Sequence, residues 1–370
     1  MRGHGIVVIG TSAGGVAALQ EIFRGLPREL PASIFVVMHM SPHAQSFLPK
    51  VVGRPGGMPT RLVHRSTKFE PGHVYIAPPD HHLILTRTEA QVNRGPRENW
   101  HRPSIDVLFR SAAQSFGPRV IGVVLTGFLD DGSAGLAAIR HEGGVTIVQD
   151  PNDALYPDMP LNALQAVKVD HCVPLSEIAS TLIRVVDLPS GERPKEKVSE
   201  EVAIETAIAK ESMNGRDALE KIGRPSTFTC PECQGPLWEL RDGELLRFRC
   251  QVGHAFSADS MLTAQQDVVE RSLWVALGAI QSRVALWDRV AERMQSPHLR
   301  DLAEFYREKK TDAERDLNQL RAILTRNGTH GKARGRREES PRPAFEEAVA
   351  SAARRPRARR LRTRGRSPQR

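Results

Sequence analysis

Gly10-Thr11-Ser12-Ala13-Gly14 sets a serine among small residues in a G-x-S-x-G pattern, after an apolar run and before a helical one. Such a turn lifts a hydroxyl clear of a sheet and aims it at the first free N–H groups of the helix, from Ala13 onward. Those donors can hold the oxyanion formed when a carbonyl is attacked. The same residues equally suit a phosphate-binding turn or a plain tight connection. A serine hydroxyl is a poor nucleophile without an adjacent base. His39 is the candidate, because it ends a second apolar run, and parallel strands about 4.8 Å apart would bring it within reach of Ser12. A carboxylate to orient the imidazole is offered by Gly127-Phe128-Leu129-Asp130-Asp131-Gly132, which follows a third apolar run. Capping of the next helix is the competing role for these aspartates. The chain order Ser, His, Asp is not that of the α/β-hydrolases or of the two best-known serine protease classes.

A second constellation lies in the other half of the chain. Cys230-x2-Cys233-x16-Cys250-x3-His254 supplies three thiols and an imidazole as two short-spaced pairs. Zinc takes four such ligands in a tetrahedron, so the spacing predicts a structural zinc site with all four positions filled. A unit this small cannot bury a core, and metal would provide much of its folding energy. Cys172 stands apart and reads as a buried strand-end residue.

The elements that must position these groups follow from periodicity. Ile6–Gly10, Ser33–Met40, Val74–Ala77, Val120–Thr126 and Val145–Gln149 are short apolar runs of the kind buried on both faces of a parallel sheet. Helical patterns separate them, with Val16, Leu19, Ile22, Phe23 and Leu26 on the first, then Ser104–Ser115 and Ser133–His141. Residues 1–187 therefore predict a doubly wound, mostly parallel α/β sheet in three layers (α/β/α). Residues 188–224 read as a linker and a polar helix, Ser199–Ile222. Residues 225–257 read as a small zinc-ribbon-like unit with a hairpin signal at Asp242-Gly243. Residues 258–326 predict an α-helical hairpin broken at Ser296-Pro297, with Leu273, Leu277, Ile280, Val284, Trp287 and Met294 on one helix. Leu302, Phe305, Leu317, Leu320 and Leu324 form the seam of the other. Residues 327–370 read as a disordered Arg-rich tail. His43, His64, His73, His81, His82 and His101 fall in turn-like stretches and read as surface or binding residues.

GTSAGG, VVMHMSP, YIAPPDHH, NWHRPSIDVLF and GVVLTGFLDDGSAGL, in that order, resemble the catalytic domain of the chemotaxis protein-glutamate methylesterases, the CheB family, over roughly Ile6 to Val186. The resemblance implies a serine hydrolase that removes methyl esters from chemoreceptor glutamates and also deamidates certain receptor glutamines. It implies Ser12 as nucleophile, His39 as general base and Asp131 as the orienting acid. Backbone N–H groups of Ala13 and Phe128 would be the oxyanion donors, and no cofactor would be needed for catalysis. His101, Arg102 and Met159 lie in segments similar to those near the family's active site and become candidates for substrate positioning, with a structural turn as the equal alternative. Two departures stand out. The family usually has Gly-Met-Gly-Asn-Asp-Gly where this chain has Gly-Phe-Leu-Asp-Asp-Gly, so Leu129 replaces a glycine and Asp130 adds charge. The family's N-terminal receiver domain is lacking ahead of residue 6, which would remove regulation by aspartyl phosphorylation within the chain.

Composition sets the outer bounds. Apolar residues are 40% of the 370 and aromatics 5%, enough for a sizeable core, and no run approaches the roughly 18 apolar residues of a membrane span. A cytoplasmic location is the expectation. The net charge of +9 is a property of the tail: residues 331–370 hold 14 Lys/Arg against 4 Asp/Glu, and the remainder is close to neutral. The tail lacks interleaved aromatics apart from Phe345, so nonspecific attraction to an anionic partner is expected rather than base stacking. The expected protein partner is a methyl-accepting chemoreceptor or similar helical signalling protein, with self-association through residues 258–326 as a further possibility. The competing reading is a non-enzymatic signalling scaffold that binds partners through its zinc and helical modules.

Overall fold

A computed structural model of the chain describes residues 5–43, 47–53, 56–188, 199–211, 215–241, 245–294 and 296–334. The chain divides into two compact units, Met1–Val268 and Val269–Arg370.

The first unit begins with β1 (Gly5–Thr11), α1 (Gly15–Gly25), β2 (Ala32–Met38), α2 (Leu48–Val52), β3 (Thr60–Leu62) and β4 (Thr67–Lys68). There follow β5 (Val74–Ile76), β6 (His82–Leu85), β7 (Glu89–Asn93), α3 (Ile105–Phe116), β8 (Val120–Val124) and α4 (Ser133–His141). The α/β part closes with β9 (Val145–Gln149), α5 (Asp158–Ala166), β10 (His171–Val173) and α6 (Leu175–Asp187). Seven of these strands form one sheet in the order β10-β9-β8-β1-β2-β5-β3, and every pairing within it is parallel. β4, β7 and β6 make a separate antiparallel sheet of three short strands.

Alternation along β1 builds two cores. Val7 and Ile9 face one side and pack with Leu19 and Ile22 of α1, Ile34 and Val36 of β2, and Ile178 and Leu182 of α6. Ile6 and Val8 face the other and pack with Phe35 and Val37, Ile105, Leu108 and Phe109 of α3, and Leu136 and Ile139 of α4. Side chains on successive residues of a strand point to opposite faces, so a run of β-branched residues covered on both faces is what a central parallel strand requires. The result is the three-layer α/β/α architecture.

Residues 199–222 are not one polar helix. They form α7 (Glu200–Ala209) and α8 (Gly215–Ile222), with Val202, Ile204, Ile208, Leu219 and Ile222 buried. α7 packs on α3, and burial of even its polar Glu205 and Thr206 masks any amphipathic pattern. β11 (Gly223–Thr229), β12 (Pro236–Leu240), β13 (Arg247–Cys250) and β14 (Ala255–Ser257) then form a four-stranded antiparallel sheet in sequence order. Asp242-Gly243, the hairpin signal between its second and third strands, lies outside the described residues. Two long helices follow, α9 (Ala258–Arg293) and α10 (Arg300–Arg334), separated by a short turn at Pro297–Leu299.

In the second unit Lys310 Nζ donates to Asp288 Oδ1 at 2.7 Å, and Leu277, Ala291, Ala303, Ala313 and Leu317 are buried. Leu302 and Phe305, expected on the seam, are exposed; the small Ala303 takes the inward position one residue along. α10 runs past Asn327 to Arg334, so helix extends into the first part of the expected disordered tail, and residues 335–370 lie outside the described residues. Cys172 is also corrected. It is exposed, because β10 is an edge strand. Among the described residues no helix is long and apolar enough to cross a membrane.

Candidate active site

Three adjacent strand ends bring the candidate residues together. β1 lies between β2 and β8, with Thr11 opposite Met38 and Gly10 opposite Val124. Beyond the strands the pairing continues: the His39 N–H donates to the Thr11 carbonyl at 3.1 Å and the Ser12 N–H to the Thr126 carbonyl at 3.0 Å. Ser12 therefore sits between His39 on one side and the 126–132 loop on the other. Two glycines permit the crowding. A Cβ on Gly10 would stand 2.2 Å from Ile105 Cγ2, blocking the seat of α3 on β1, and one on Gly127 would stand 2.7 Å from Ser12 Cβ.

His39 Nε2 lies 2.7 Å from Asp131 Oδ2, and the two side chains are 5% and 1% exposed. A carboxylate only accepts, so Nε2 carries the proton and Nδ1 presents a lone pair. That Nδ1 is buried and has no hydrogen-bond partner among the described residues. An imidazole in this tautomer, beside a serine, can take the hydroxyl proton and share the resulting charge with Asp131.

Asp131 is held by far more than His39. Its Oδ2 also accepts from the Ile105 N–H at 2.7 Å, and its Oδ1 from Ser104 Oγ at 2.9 Å, the Asp106 N–H at 3.2 Å and Asn99 Nδ2 at 3.2 Å. Burial alone would raise its pKa, but the hydrogen bond and charge of His39, with the Ile105 N–H, hold it well below the ordinary carboxylate range. The expected capping role is thus redirected: Asp131 caps α3, not the helix that follows it. Asp106 of α3 returns the bond to α4, accepting from the N–H groups of Gly132 at 3.1 Å and Gly135 at 2.6 Å. Burial and the neighbouring Asp131 push Asp106 up to about 7.

The oxyanion candidates keep their donors available. Among the described residues neither the Ala13 nor the Phe128 N–H donates to a protein acceptor, whereas Gly127 N–H is taken by the Tyr156 carbonyl. The Phe128 ring is 52% exposed and lies 4.5 Å from the Tyr156 ring. Leu129 adopts φ 60°, a left-handed conformation that glycine enters freely and leucine does not. Asn162 Nδ2 holds the Leu129 carbonyl at 2.9 Å, so the loop keeps a glycine-like backbone without the glycine. Burial, with the charge of Asp131, pushes Asp130 up to about 6.

The three positioning candidates separate. The His101 ring stacks on His39 at 3.5 Å between centroids and 10° between planes. Burial, with the adjacent His39, pushes its pKa down to about 3, so it meets His39 as a neutral plate. Arg102 is committed to an ion pair with Asp80. Its guanidinium donates to Asp80 at 2.7 and 2.9 Å and to the carbonyls of Arg94 and Gly95, which leaves it tying the 80 and 94–95 segments together. Met159 is fully buried and packs against Gly127, supporting the loop from below. His82 also departs from expectation: it is buried, its Nε2 donates to the Pro96 carbonyl at 2.8 Å and its Nδ1 accepts from the Ser104 N–H.

Asn99, Ser104 and Asp106 were not singled out from sequence. All three lie in the NWHRPSIDVLF stretch, and Ser104 immediately before a helical pattern was a visible capping signal. Asn99 carried no local signal.

The Cys230, Cys233, Cys250 and His254 ligand atoms all lie within 4.8 Å of one another. Cys233 and Cys250 Sγ are 3.6 Å apart, and His254 Nδ1 is 3.6 Å from Cys250 Sγ and 3.7 Å from Cys230 Sγ. His254 Nε2 points to Glu232, 3.5 Å away.

Comparison with known proteins identifies the family of the α/β part. The family model described as CheB methylesterase matches residues 7–182. A putative protein-glutamate methylesterase/protein-glutamine glutaminase of Leptospira interrogans is 35% identical over 180 residues, 48% of this chain and 93% of the relative. Protein-glutamate methylesterase/protein-glutamine glutaminase 2 of Xanthomonas campestris pv. campestris is 40% identical over 185 residues, 48% of this chain and 51% of that one. The solved catalytic domain of the Thermotoga maritima CheB methylesterase is 30% identical, covers 49% of this chain and 98% of its own, and has a TM-score of 0.47. With a serine, a histidine and an aspartate at neighbouring strand ends and a relative matched over nearly its whole length, this chain belongs to the CheB methylesterase family.

Proposed function

We propose that the chain is a protein-glutamate methylesterase that also deamidates protein glutamines, acting on a methyl-accepting chemoreceptor or similar helical signalling protein through Ser12, His39 and Asp131. The observation that carries this reading is the His39–Asp131 pair, whose remaining ring nitrogen is buried and has no partner among the described residues, next to the end of β1 that Ser12 directly follows. In the mechanism, His39 Nδ1 takes the Ser12 proton as Oγ attacks the glutamyl carbonyl. Asp131 stabilises the imidazolium, and the N–H groups of Ala13 and Phe128 receive the oxyanion. His39 returns the proton to the departing methoxy oxygen, releasing methanol, or to the departing amide nitrogen, releasing ammonia, when the substrate is a glutamine. Water then attacks the acyl-enzyme with His39 again as base, releasing the glutamate. A binding scaffold would have no use for the two unspent backbone donors at the serine.

The test uses receptor membranes carrying methyl-labelled glutamates, incubated with the full chain. Released methanol and covalent capture of Ser12 by a serine-directed organophosphorus probe are the expected results. Intact methyl esters after prolonged incubation with folded protein would overturn the assignment.

The Cys3His cluster supports a second, structural assignment, a zinc-ribbon-like unit. Two thiolates about 2.3 Å from one zinc ion in a tetrahedron stand about 3.8 Å apart, and a thiolate and an imidazole nitrogen about 3.6 Å. The observed separations fit. Glu232 beside His254 Nε2 is the kind of partner that fixes a ligand imidazole. Bound zinc would cross-link the 230–233 turn to the 250–254 turn. Elemental analysis should find one zinc per chain, and stripping it with a strong chelator should lower the melting temperature. Metal-free protein with an unchanged melting temperature would remove zinc from the account.

A further inference from the structure

The turn Glu98-Asn99-Trp100-His101 is strained and is held by the Cys3His sheet. Its two central residues have φ 48° and 69°, a pair of left-handed conformations that persist in non-glycine residues only where the surroundings impose them. Glu98 and His101 close it by exchanging backbone bonds at 2.9 and 3.3 Å. The restraints come from β14 and the start of α9. The Asn99 N–H donates to the Ala255 carbonyl at 2.8 Å, and the Ala255 N–H to the Arg97 carbonyl at 3.2 Å. The Ser257 N–H and Ser260 Oγ both donate to Asn99 Oδ1, at 3.1 and 3.2 Å. Trp100 packs on the cluster formed by Cys230, Cys250 and Phe256. The other end of the Asn99 amide donates to Asp131 Oδ1 and Asp106 Oδ2, and the turn's last residue stacks on His39.

We infer that Asn99 is a positioning residue through which the Cys3His module sets the orientation of the Asp131–His39 pair. Its carbonyl oxygen is filled by the module and its NH2 by the catalytic carboxylate, so one planar amide transmits the placement of β14 to the acid. His254 adjoins Ala255, and its carbonyl accepts from the Cys250 N–H at 2.9 Å. A metal held by these ligands therefore fixes the strand on which the turn hangs. The module supplies to the active site a brace assembled from residues more than 150 positions away in sequence.

The inference rests on the esterase assignment, and the test separates the two. Asn99→Asp in the full chain keeps an acceptor for Ser257 and Ser260 and tolerates the left-handed backbone, but replaces the donor to Asp131 with a second carboxylate oxygen. Relative to wild type on methylated receptor membranes, kcat should fall about 10- to 100-fold, since hydrogen bonds to charged groups carry that much. KM should stay within about twofold and metal content should be unchanged. The downfield proton resonance of His39 Nε2–H, read without substrate, should shift. Ser260→Ala, which removes one of the two donors to Asn99, should move kcat and the resonance the same way by a smaller factor. Wild-type kcat and an unmoved resonance in folded Asn99→Asp would overturn the inference, and so would an unmoved resonance in Ser260→Ala should Asn99→Asp fail to fold. A wild-type protein without esterase activity would instead overturn the assignment of function, and the resonance would still report on the brace.

Discussion

Ser12→Ala is expected to lower methanol release by about 10⁶-fold while leaving the fold untouched. Loss of the nucleophile alone removes nearly everything a triad contributes in a serine hydrolase. What survives, about 10³–10⁴ over water, comes from the oxyanion donors and substrate binding. Those donors are backbone N–H groups at Ala13 and Phe128, which an alanine at position 12 leaves in place. Stability should not change, because the bond that seats Ser12 is its own N–H to the Thr126 carbonyl at 3.0 Å. The side chain belongs to neither core cluster of the α/β unit. The measurement is initial methanol release at saturating receptor, with melting temperature as the control. Turnover within about tenfold of wild type would show that another group attacks the ester.

Legibility from sequence follows the range over which each contact acts. β1, β2 and β8 are largely apolar runs interrupted only by Ser33 and by Thr11 at the end of β1, so the parallel sheet and its C-terminal rim were readable, and with them the meeting of Ser12, His39 and Asp131. Asn99 is the opposite case. Its function depends on Ser257 and Ser260, brought to it by a sheet whose position no local pattern encodes. His82 misled because Pro-Pro-Asp-His-His looks like a turn, whereas the strand begins at the second histidine and buries it. For Arg102, similarity of its segment to the family's says nothing of where the guanidinium finds its carboxylate, which here is Asp80. Residues 199–222 hid a buried face because Glu205 counts as polar until its arginines are seen.

Those arginines set the stability of the first unit, and Arg249→Ala should destabilise it by about 3–5 kcal/mol. Arg249 is fully buried and donates to Glu98 and Glu205, each at 2.8 Å, and to the Gly253 carbonyl at 2.9 Å. Glu205 is also gripped by Arg247 at 2.8 and 3.0 Å, and Glu98 by Arg110 of α3. Burial would raise both glutamates' pKa values; the arginines hold them down instead. Removing Arg249 strips one partner from each carboxylate and leaves both buried, which is the condition under which a broken pair is most costly. A unit of this size loses about 2–4 °C in melting temperature per kcal/mol, so a fall of about 6–20 °C is expected. Adding Glu98→Gln to Arg249→Ala should recover part of the loss, because it removes one stranded charge. The cost should appear in a single transition, since Glu98 and Arg110 belong to the α/β part while Glu205, Arg247 and Arg249 belong to the segments that follow it. Neither side can bury its charges without the other. A change below about 1 kcal/mol, or two separated transitions in the wild type's first unit, would mean that the α/β part and the Cys3His sheet fold independently.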